Sequence, residues 1–210
     1  MTLLMTFGDS NSYGTPPMDS FVGHNRFSDG VRWPTVAAGE LGWQLLEQGL
    51  PGRTAQFDDP IMGKHMNGQD GLKIALESNG PIDVLTIMLG TNDVKARFAS
   101  NPYGVMGGIA SLLDIALSPD MQDRHAGYKV LLICPPPVVE VGILRGEFYG
   151  GATLSAALPP LYRALADARG VGYLDAGQVI KVSALDGVHF DAPDHAVLGR
   201  AVAQSLSALV

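Results

Sequence analysis

Short apolar runs alternate along the chain with longer segments whose apolar residues recur at helical spacing. Such runs are typical of strands that are buried on both faces of a sheet. Five strands are predicted: Leu3–Phe7, Trp43–Glu47, Asp83–Leu89, Lys129–Ile133 and Gly172–Leu174. Five helices are predicted: Trp33–Leu41, Gln69–Glu77, Tyr103–Leu117, Leu154–Arg169 and Ala192–Leu209.

Proline and glycine mark several ends of these elements. Pro34 and Pro193 fall in first helical turns, where the missing N–H costs nothing, and Asp191 is a possible cap of the last helix. Gly170 is expected to end the helix that precedes it, and the proline run 135–137 stops the fourth strand.

This order of strands and helices predicts a three-layer α/β/α sandwich around a five-stranded parallel sheet, of the flavodoxin-like type. No internal repeat, low-complexity stretch or linker divides the 210 residues. We therefore expect a single domain over residues 1–210. Ligands of such sheets bind beyond the carboxyl ends of the strands, so the polar residues that follow the strands are the candidates for chemistry.

Composition excludes several classes of protein. A chain that is 46% hydrophobic and 17% charged is globular, and a formal charge of −7 gives no general attraction for nucleic acid. Cys134 is the single cysteine, which excludes an internal disulfide and argues against a cysteine-based zinc site. We find no basic start before an apolar stretch and no run of the ~20 residues that a membrane span needs. We expect a cytoplasmic protein without membrane partner, metal or cofactor.

A serine, a histidine and a carboxylate follow the first and fifth predicted strands. Ser10 comes directly after the first strand, and Asp186 and His189 precede the last helix. A serine hydroxyl needs a base within hydrogen-bond reach, and His189 can supply one because imidazole titrates near ~6.5. Asp186 can reach the other ring nitrogen and stabilise the imidazolium. We predict Ser10 as nucleophile, with His189 and Asp186 completing a triad; Ser12 is the weaker alternative nucleophile.

Acyl transfer also needs donors for the oxyanion of its tetrahedral intermediate. The backbone N–H groups of Ser10 and Gly52 and the side-chain amide of Asn92 can converge there, since they follow the first three strands. Glycine at position 52 lets the backbone approach the substrate without a Cβ in the way. Asp9 receives a supporting role, bonding to the turn around Ser10.

Taken together, these residues resemble the SGNH hydrolases, also called GDSL-type esterases. Gly8-Asp9-Ser10 resembles the first block of that family, Gly52 stands in the place of the second, Gly90-Thr91-Asn92-Asp93 resembles the third, and Asp186-Gly187-Val188-His189 resembles the fifth. The match covers nearly the whole chain and implies the SGNH hydrolase fold. Asn11 departs from the leucine of the family name. Since that position is not itself catalytic, we expect the departure to affect substrate shape more than activity.

A closer resemblance is to the arylesterase and acyltransferase branch of that family. It is carried by Val31-Arg32-Trp33, Gly49-Leu50-Pro51-Gly52-Arg53-Thr54, Asp58-Asp59-Pro60, the run from Ile87 to Asp93, Pro135-Pro136-Pro137 and Asp175-Ala176-Gly177. The resemblance implies a serine esterase for small aryl or short-chain acyl esters, working through an acyl-enzyme. In that branch some members pass the acyl group to alcohols or peroxide, and some form oligomers whose neighbouring chains narrow the entrance. The resemblance therefore implies a small ester as substrate and a homo-oligomer for this chain.

Three alternatives remain beside the esterase. The same site could serve an acyltransferase or perhydrolase, or a carbohydrate acetylesterase. A non-catalytic flavodoxin-like domain for a nucleotide or flavin is the third, and the absence of a phosphate-binding glycine loop after any strand disfavours it.

The remaining candidates carry no assigned chemistry. Two segments at the rim, residues 94–107 and 138–153, are predicted to form a lid, an acyl pocket or a subunit contact, with a packed surface loop as an equal alternative. His195 is expected on a face of the last helix and Cys134 as a small buried hydrophobe. The other histidines lack the spacing of a metal site: His24, His65 and His125.

Overall fold

A computed structural model of the protein describes residues 1–23 and 25–210, so His24 lies outside the described residues. Its five strands form one parallel sheet in the order β2-β1-β3-β4-β5. They are β1 Leu3–Gly8, β2 Gln44–Gly49, β3 Val84–Met88, β4 Lys129–Cys134 and β5 Gly172–Asp175. The predicted sheet is therefore confirmed, and small differences at the strand ends do not change it.

Helices cover both faces of this sheet. They are α1 Ser10–Tyr13, α2 Trp33–Leu41, α3 Gly68–Ser78, α4 Pro102–Ala116, α5 Pro119–Arg124, α6 Gly151–Ala156, α7 Leu158–Arg169 and α8 Ala192–Ser207. Side chains alternate along each strand, so that Phe7 and Ile87 pack on one face with α3, α4 and α7, whereas Leu4 and Met88 pack on the other with α2 and α8. The predicted α/β/α sandwich is confirmed.

The single helix predicted over Leu154–Arg169 is wrong, because the structure has two helices, α6 and α7, that meet at Ala157. Pro159 and Pro160 lie in the first turn of α7. Neither has an N–H to continue the bonding of α6, and each ring would clash with the carbonyl four residues earlier. The amphipathic spacing carries through the break, which is why it reads as one helix.

Other helix ends follow the predictions more closely. Gly170 ends α7 in the left-handed conformation, and Pro34 and Pro193 lie in first turns as expected. Asp191 occupies the cap position of α8, but its side chain makes no capping hydrogen bond. The short helices α1 and α5 were not predicted, since one or two turns leave too little periodicity to recognise.

Strand order places the crevice of the sheet beside β1. Its neighbours β2 and β3 come later in the chain and lie on opposite sides of it. In parallel sheets such a reversal opens a crevice beyond the carboxyl ends of the strands. The predicted site residues follow these strand ends. Of the helices that the structure describes, none combines the length and the apolar character needed to cross a membrane.

Candidate active site

Ser10 sits at the sharp junction between β1 and α1. Asp9 caps α1, and its Oδ1 accepts a hydrogen bond from the Asn11 N–H at 2.9 Å. The junction requires glycine at position 8, because a Cβ there would lie 2.1 Å from Ser12 Oγ and 2.9 Å from the Met88 carbonyl oxygen. The end of β1 therefore packs directly against α1, and this holds Ser10 at the edge of the sheet.

Ser10, His189 and Asp186 form one hydrogen-bonded chain. His189 Nε2 lies 3.1 Å from Ser10 Oγ, and His189 Nδ1 lies 2.7 Å from Asp186 Oδ2. These separations suit transfer of the serine proton to the imidazole. The structure thus brings together three residues that the sequence placed at opposite ends of the chain.

The turn from Asp186 to His189 is tightly built. Asp186 Oδ1 accepts from the N–H groups of Val188 and His189, each at 3.0 Å. Burial raises the pKa of Asp186, but its hydrogen bond with His189, the charge of that ring and the two backbone donors together hold the pKa below its ordinary value. The carboxylate is therefore ionised beside the imidazole. Gly187 allows the turn at a φ of 75°, and a Cβ there would lie 1.8 Å from the Val139 carbonyl oxygen.

Asn11 does not line the cavity that Ser10 and His189 line. It is buried, and its Nδ2 donates to the Val188 carbonyl at 3.1 Å. The departure from leucine at this position thus contributes a hydrogen bond between the Ser10 turn and the His189 turn, and the expected effect on substrate shape stays a prediction.

The three predicted oxyanion donors surround the same cavity. Ser10, Gly52 and Asn92 all line it, together with His189. Gly52 has a φ of 90°, and its N–H donates no hydrogen bond to any described residue. The Ser10 N–H opens α1, where an amide has no partner within the helix. Asn92 Nδ2 donates to the Arg53 carbonyl at 3.0 Å and contacts Asp9 Oδ2 at 3.3 Å.

Arg53 holds the backbone behind Gly52, a role that the sequence did not indicate. Its Nη1 donates to the carbonyl oxygens of Gly8, at 3.0 Å, and of Gln48. Its guanidinium lies 4.2 Å above the ring centroid of Phe7, and burial lowers its pKa to about 10. No sequence pattern indicates such a role, since an arginine in a glycine-rich loop is ordinarily exposed.

Two buried carboxyl groups lie behind these donors. Burial raises the pKa of Asp9 to about 6, although the Asn11 N–H and nearby positive groups act against it. Burial, together with the charge of Asp9, raises the pKa of Asp93 to about 7. Both Asp93 oxygens lie 2.9 Å from the Ala55 N–H. Asp93, to which no role was assigned from the sequence, is thus a second buried carboxyl group beside Asp9.

The cavity has a volume of about 570 Å³ and two unlike walls. One is formed by residues 15–23, which we call the mouth segment, together with Ile61 and Met62. Its side chains are mainly apolar, and Phe21 and Val22 are 68% and 87% exposed. No regular periodicity marks this segment, so the sequence pattern does not indicate its role.

A second wall is charged and comes from both predicted rim segments. Arg97 Nη2 and Lys95 Nζ contact the same oxygen of Glu147, at 2.7 and 3.4 Å. Burial lowers the pKa of Lys95, against the effect of Glu147. Leu144 and Phe148 complete this wall. The segments 94–107 and 138–153 therefore meet at the cavity, as expected for a pocket.

The remaining candidates lie away from this chemistry. His195 is buried on α8, where its Nδ1 accepts from the Trp33 N–H at 3.3 Å and burial lowers its pKa to about 4. His125 is buried between Leu76 and Ile82, and Cys134 is buried at the end of β4. His65 lies in the short 3-10 turn Lys64–Met66. Within residues 1–23 and 25–210, no cluster of three or more histidine, cysteine, aspartate or glutamate side chains could hold a metal ion.

Comparisons with known proteins agree with this geometry. The sequence matches the family model of the GDSL-like lipase/acylhydrolase family over residues 6–197. The structure is similar to the aryl esterase of M. smegmatis, with 33% identity, all of both chains covered and a TM-score of 0.94. It is also similar to a carbohydrate acetylesterase from Sinorhizobium meliloti, with 34% identity, 99% of both chains covered and a TM-score of 0.93. No curated protein matches the sequence.

Proposed function

Since the chain belongs to the GDSL-like lipase/acylhydrolase family, we propose that it is a serine esterase that hydrolyses small aryl or short-chain acyl esters. The observation that supports this most directly is the hydrogen-bonded chain from Ser10 through His189 to Asp186 in the wall of the cavity. That arrangement supplies a nucleophile, a base and an ionised carboxylate to orient the base.

Acylation begins at Ser10. Its Oγ attacks the ester carbonyl carbon while His189 Nε2 takes the hydroxyl proton, and the ionised Asp186 stabilises the imidazolium. The tetrahedral intermediate collapses by breaking the bond to the alcohol oxygen, and His189 returns the proton to that oxygen. The acyl group is then bound to Ser10. A water molecule deprotonated by His189 attacks it, and the acid leaves as Ser10 regains its proton.

The developing oxyanion needs donors that are already in place. The N–H groups of Ser10 and Gly52 have no partner among the described residues, so they are available to it. Asn92 contacts Asp9 at 3.3 Å and the Arg53 carbonyl at 3.0 Å, so we assign the hydrogen of the longer contact to the oxyanion. Each donor of this kind is worth about 2.7–4 kcal/mol of transition-state stabilisation.

Replacement of the nucleophile tests this proposal. We expect Ser10→Ala to lower kcat for p-nitrophenyl acetate by several orders of magnitude and to abolish labelling by a fluorophosphonate. Ser12→Ala is the matched control, because Ser12 is also a buried serine of α1. Unchanged turnover in Ser10→Ala, or a label that maps to Ser12, would contradict the assignment.

The apolar wall supports acyl transfer as a second candidate. Pro16, Pro17 and Met62 line the cavity beside Ser10, and such surfaces favour an alcohol over water as the acceptor. Hydrolysis and transfer products should be measured with increasing alcohol. A product mixture that holds only the free acid at every alcohol concentration would exclude transfer.

The charged wall supports a carbohydrate acetylesterase as a third candidate. Lys95, Arg97 and Glu147 offer hydrogen bonds that sugar hydroxyls can use, and a carbohydrate acetylesterase is among the similar structures. The rates of acetate release from an acetylated sugar and from phenyl acetate distinguish the two substrate classes. A kcat/KM below that of phenyl acetate for every acetylated sugar tried would exclude this candidate.

A further inference from the structure

One backbone amide of the mouth segment reaches the proposed triad. The Met18 N–H donates to Asp186 Oδ2 at 2.8 Å, across 168 residues of sequence. That oxygen is also the one that His189 Nδ1 contacts at 2.7 Å. The Met18 N–H of the mouth segment and His189 Nδ1 therefore both contact the same carboxylate oxygen of Asp186.

Within residues 15–18, Met18 is the residue whose backbone N–H remains available to Asp186. Pro16 and Pro17 have no N–H, and the Thr15 N–H is used by the Ser10 carbonyl at 3.0 Å. The Met18 side chain is partly buried against the hydrophobic core, whereas residues 19–23 are exposed. The mouth segment is thus anchored to the fold at Met18 and exposed beyond it.

We propose that the Met18 N–H is a positioning group. It fixes the orientation of Asp186 Oδ2 and lowers the affinity of that oxygen for the proton on His189 Nδ1; this inference rests on the function proposed above. A donor to a carboxylate oxygen withdraws charge from it. With the Met18 N–H in place, Oδ2 holds the imidazolium proton less tightly than it would alone. Because the mouth segment also lines the cavity, a displacement of this segment at Met18 would change the basicity of His189.

Other charged groups lie near this pair and stay constant in the test. Asp19 follows Met18 in the mouth segment. The charge of His189 lowers the pKa of Asp9 at the Ser10 turn and that of His195 in α8. The charge of Lys95 also lowers the pKa of Asp9. None of them is altered by removing one backbone hydrogen at position 18.

The test removes that hydrogen and measures the pH dependence of Ser10 reactivity. Met18→Pro deletes the N–H, and replacement of Met18 by its α-hydroxy acid analogue exchanges the N–H for oxygen without changing the side chain. Met18→Ala keeps the N–H and is the matched control. The measured quantity is the second-order rate constant for labelling of Ser10 by a fluorophosphonate between pH 5 and pH 9, which needs no natural substrate.

We expect the midpoint of the acidic limb to rise by about 0.5–1 pH unit when the N–H is removed, and to stay unchanged in Met18→Ala. If Met18→Pro does not fold by circular dichroism, the α-hydroxy acid variant decides. A midpoint equal to that of the wild type, or an equal shift in Met18→Ala, would overturn the inference. If the wild type is not labelled at Ser10, it is the proposed function that fails.

Discussion

Two regions at the cavity are built on opposite principles. Asp9, Arg53, Asn92 and Asp93 form a buried polar network, here called the inner wall, which reaches the cavity through Asn92 and whose members bond mainly to backbone groups. By contrast, the mouth segment presents apolar side chains to solvent. Buried polar groups are costly to rearrange, whereas exposed apolar ones are not. We therefore expect the inner wall to keep its geometry and the mouth segment to tolerate change.

The largest expected effect is a loss of kcat when the Asn92 side chain is removed from the inner wall. Asn92→Ala should lower kcat about 10²–10³-fold, because it removes one of the proposed oxyanion donors. Asn67→Ala is the control, since Asn67 also bonds to backbone but lies outside the cavity lining. Steady-state kinetics with p-nitrophenyl acetate measure the effect. A loss confined to KM would show that Asn92 binds substrate without stabilising the transition state.

A medium effect, on the pH dependence of the free energy of unfolding, is expected from the buried carboxyl groups of the inner wall. Burial raises the pKa of Asp9 to about 6 and, with the charge of Asp9, that of Asp93 to about 7. In the fold these groups keep protons that the unfolded chain has already released, so stability falls as the pH rises through the folded-state pKa. We expect the free energy of unfolding to fall by about 1 kcal/mol from pH 6.5 to pH 8.

Urea unfolding at the two pH values measures this fall. Asp93→Asn should remove most of it, whereas Asp70→Asn, at an exposed position on α3, should leave it unchanged. His195 interferes little in this range, because burial lowers its pKa to about 4 and it titrates at lower pH. A fall of the same size in Asp93→Asn would show that Asp93 is not its source.

The smallest effect is expected at the mouth. Phe21→Ala should raise KM for an aryl ester about 3- to 10-fold and leave kcat nearly unchanged, because the ring contributes apolar contact area and no catalytic group. Ile74→Ala is the control, since Ile74 is an equally exposed apolar residue on α3 outside the cavity. A fall in kcat comparable to that of Asn92→Ala would remove the contrast between the inner wall and the mouth segment.

The sequence predicted the parts of the molecule that follow from periodicity and from strand ends. Five apolar runs sufficed for the sheet, and Ser10, Asp186 and His189 could be placed together because each follows a strand of one parallel sheet. The break at Ala157 was missed because the apolar spacing continues through Pro159 and Pro160.

Irregular loops account for the rest of what the sequence left out. The bonds of Arg53 and the contact between Met18 and Asp186 depend on how those loops pack. No local pattern encodes such a contact across 168 residues of chain. Asn11 illustrates the same limit. Its position in the family motif predicts an effect on substrate shape, whereas its hydrogen bond to the Val188 carbonyl is visible only in the fold.

The distance in sequence between Ser10 and His189 also concerns how the protein is made. The two residues are 179 positions apart, and β1, which ends beside Ser10, lies in the interior of the sheet. A ribosome synthesises Ser10 long before His189. Under the proposed function, the Ser10 hydroxyl of the nascent chain is unactivated until the Asp186–His189 turn emerges and folds against α1. Esterase activity of ribosome-bound chains would therefore report the completion of the fold.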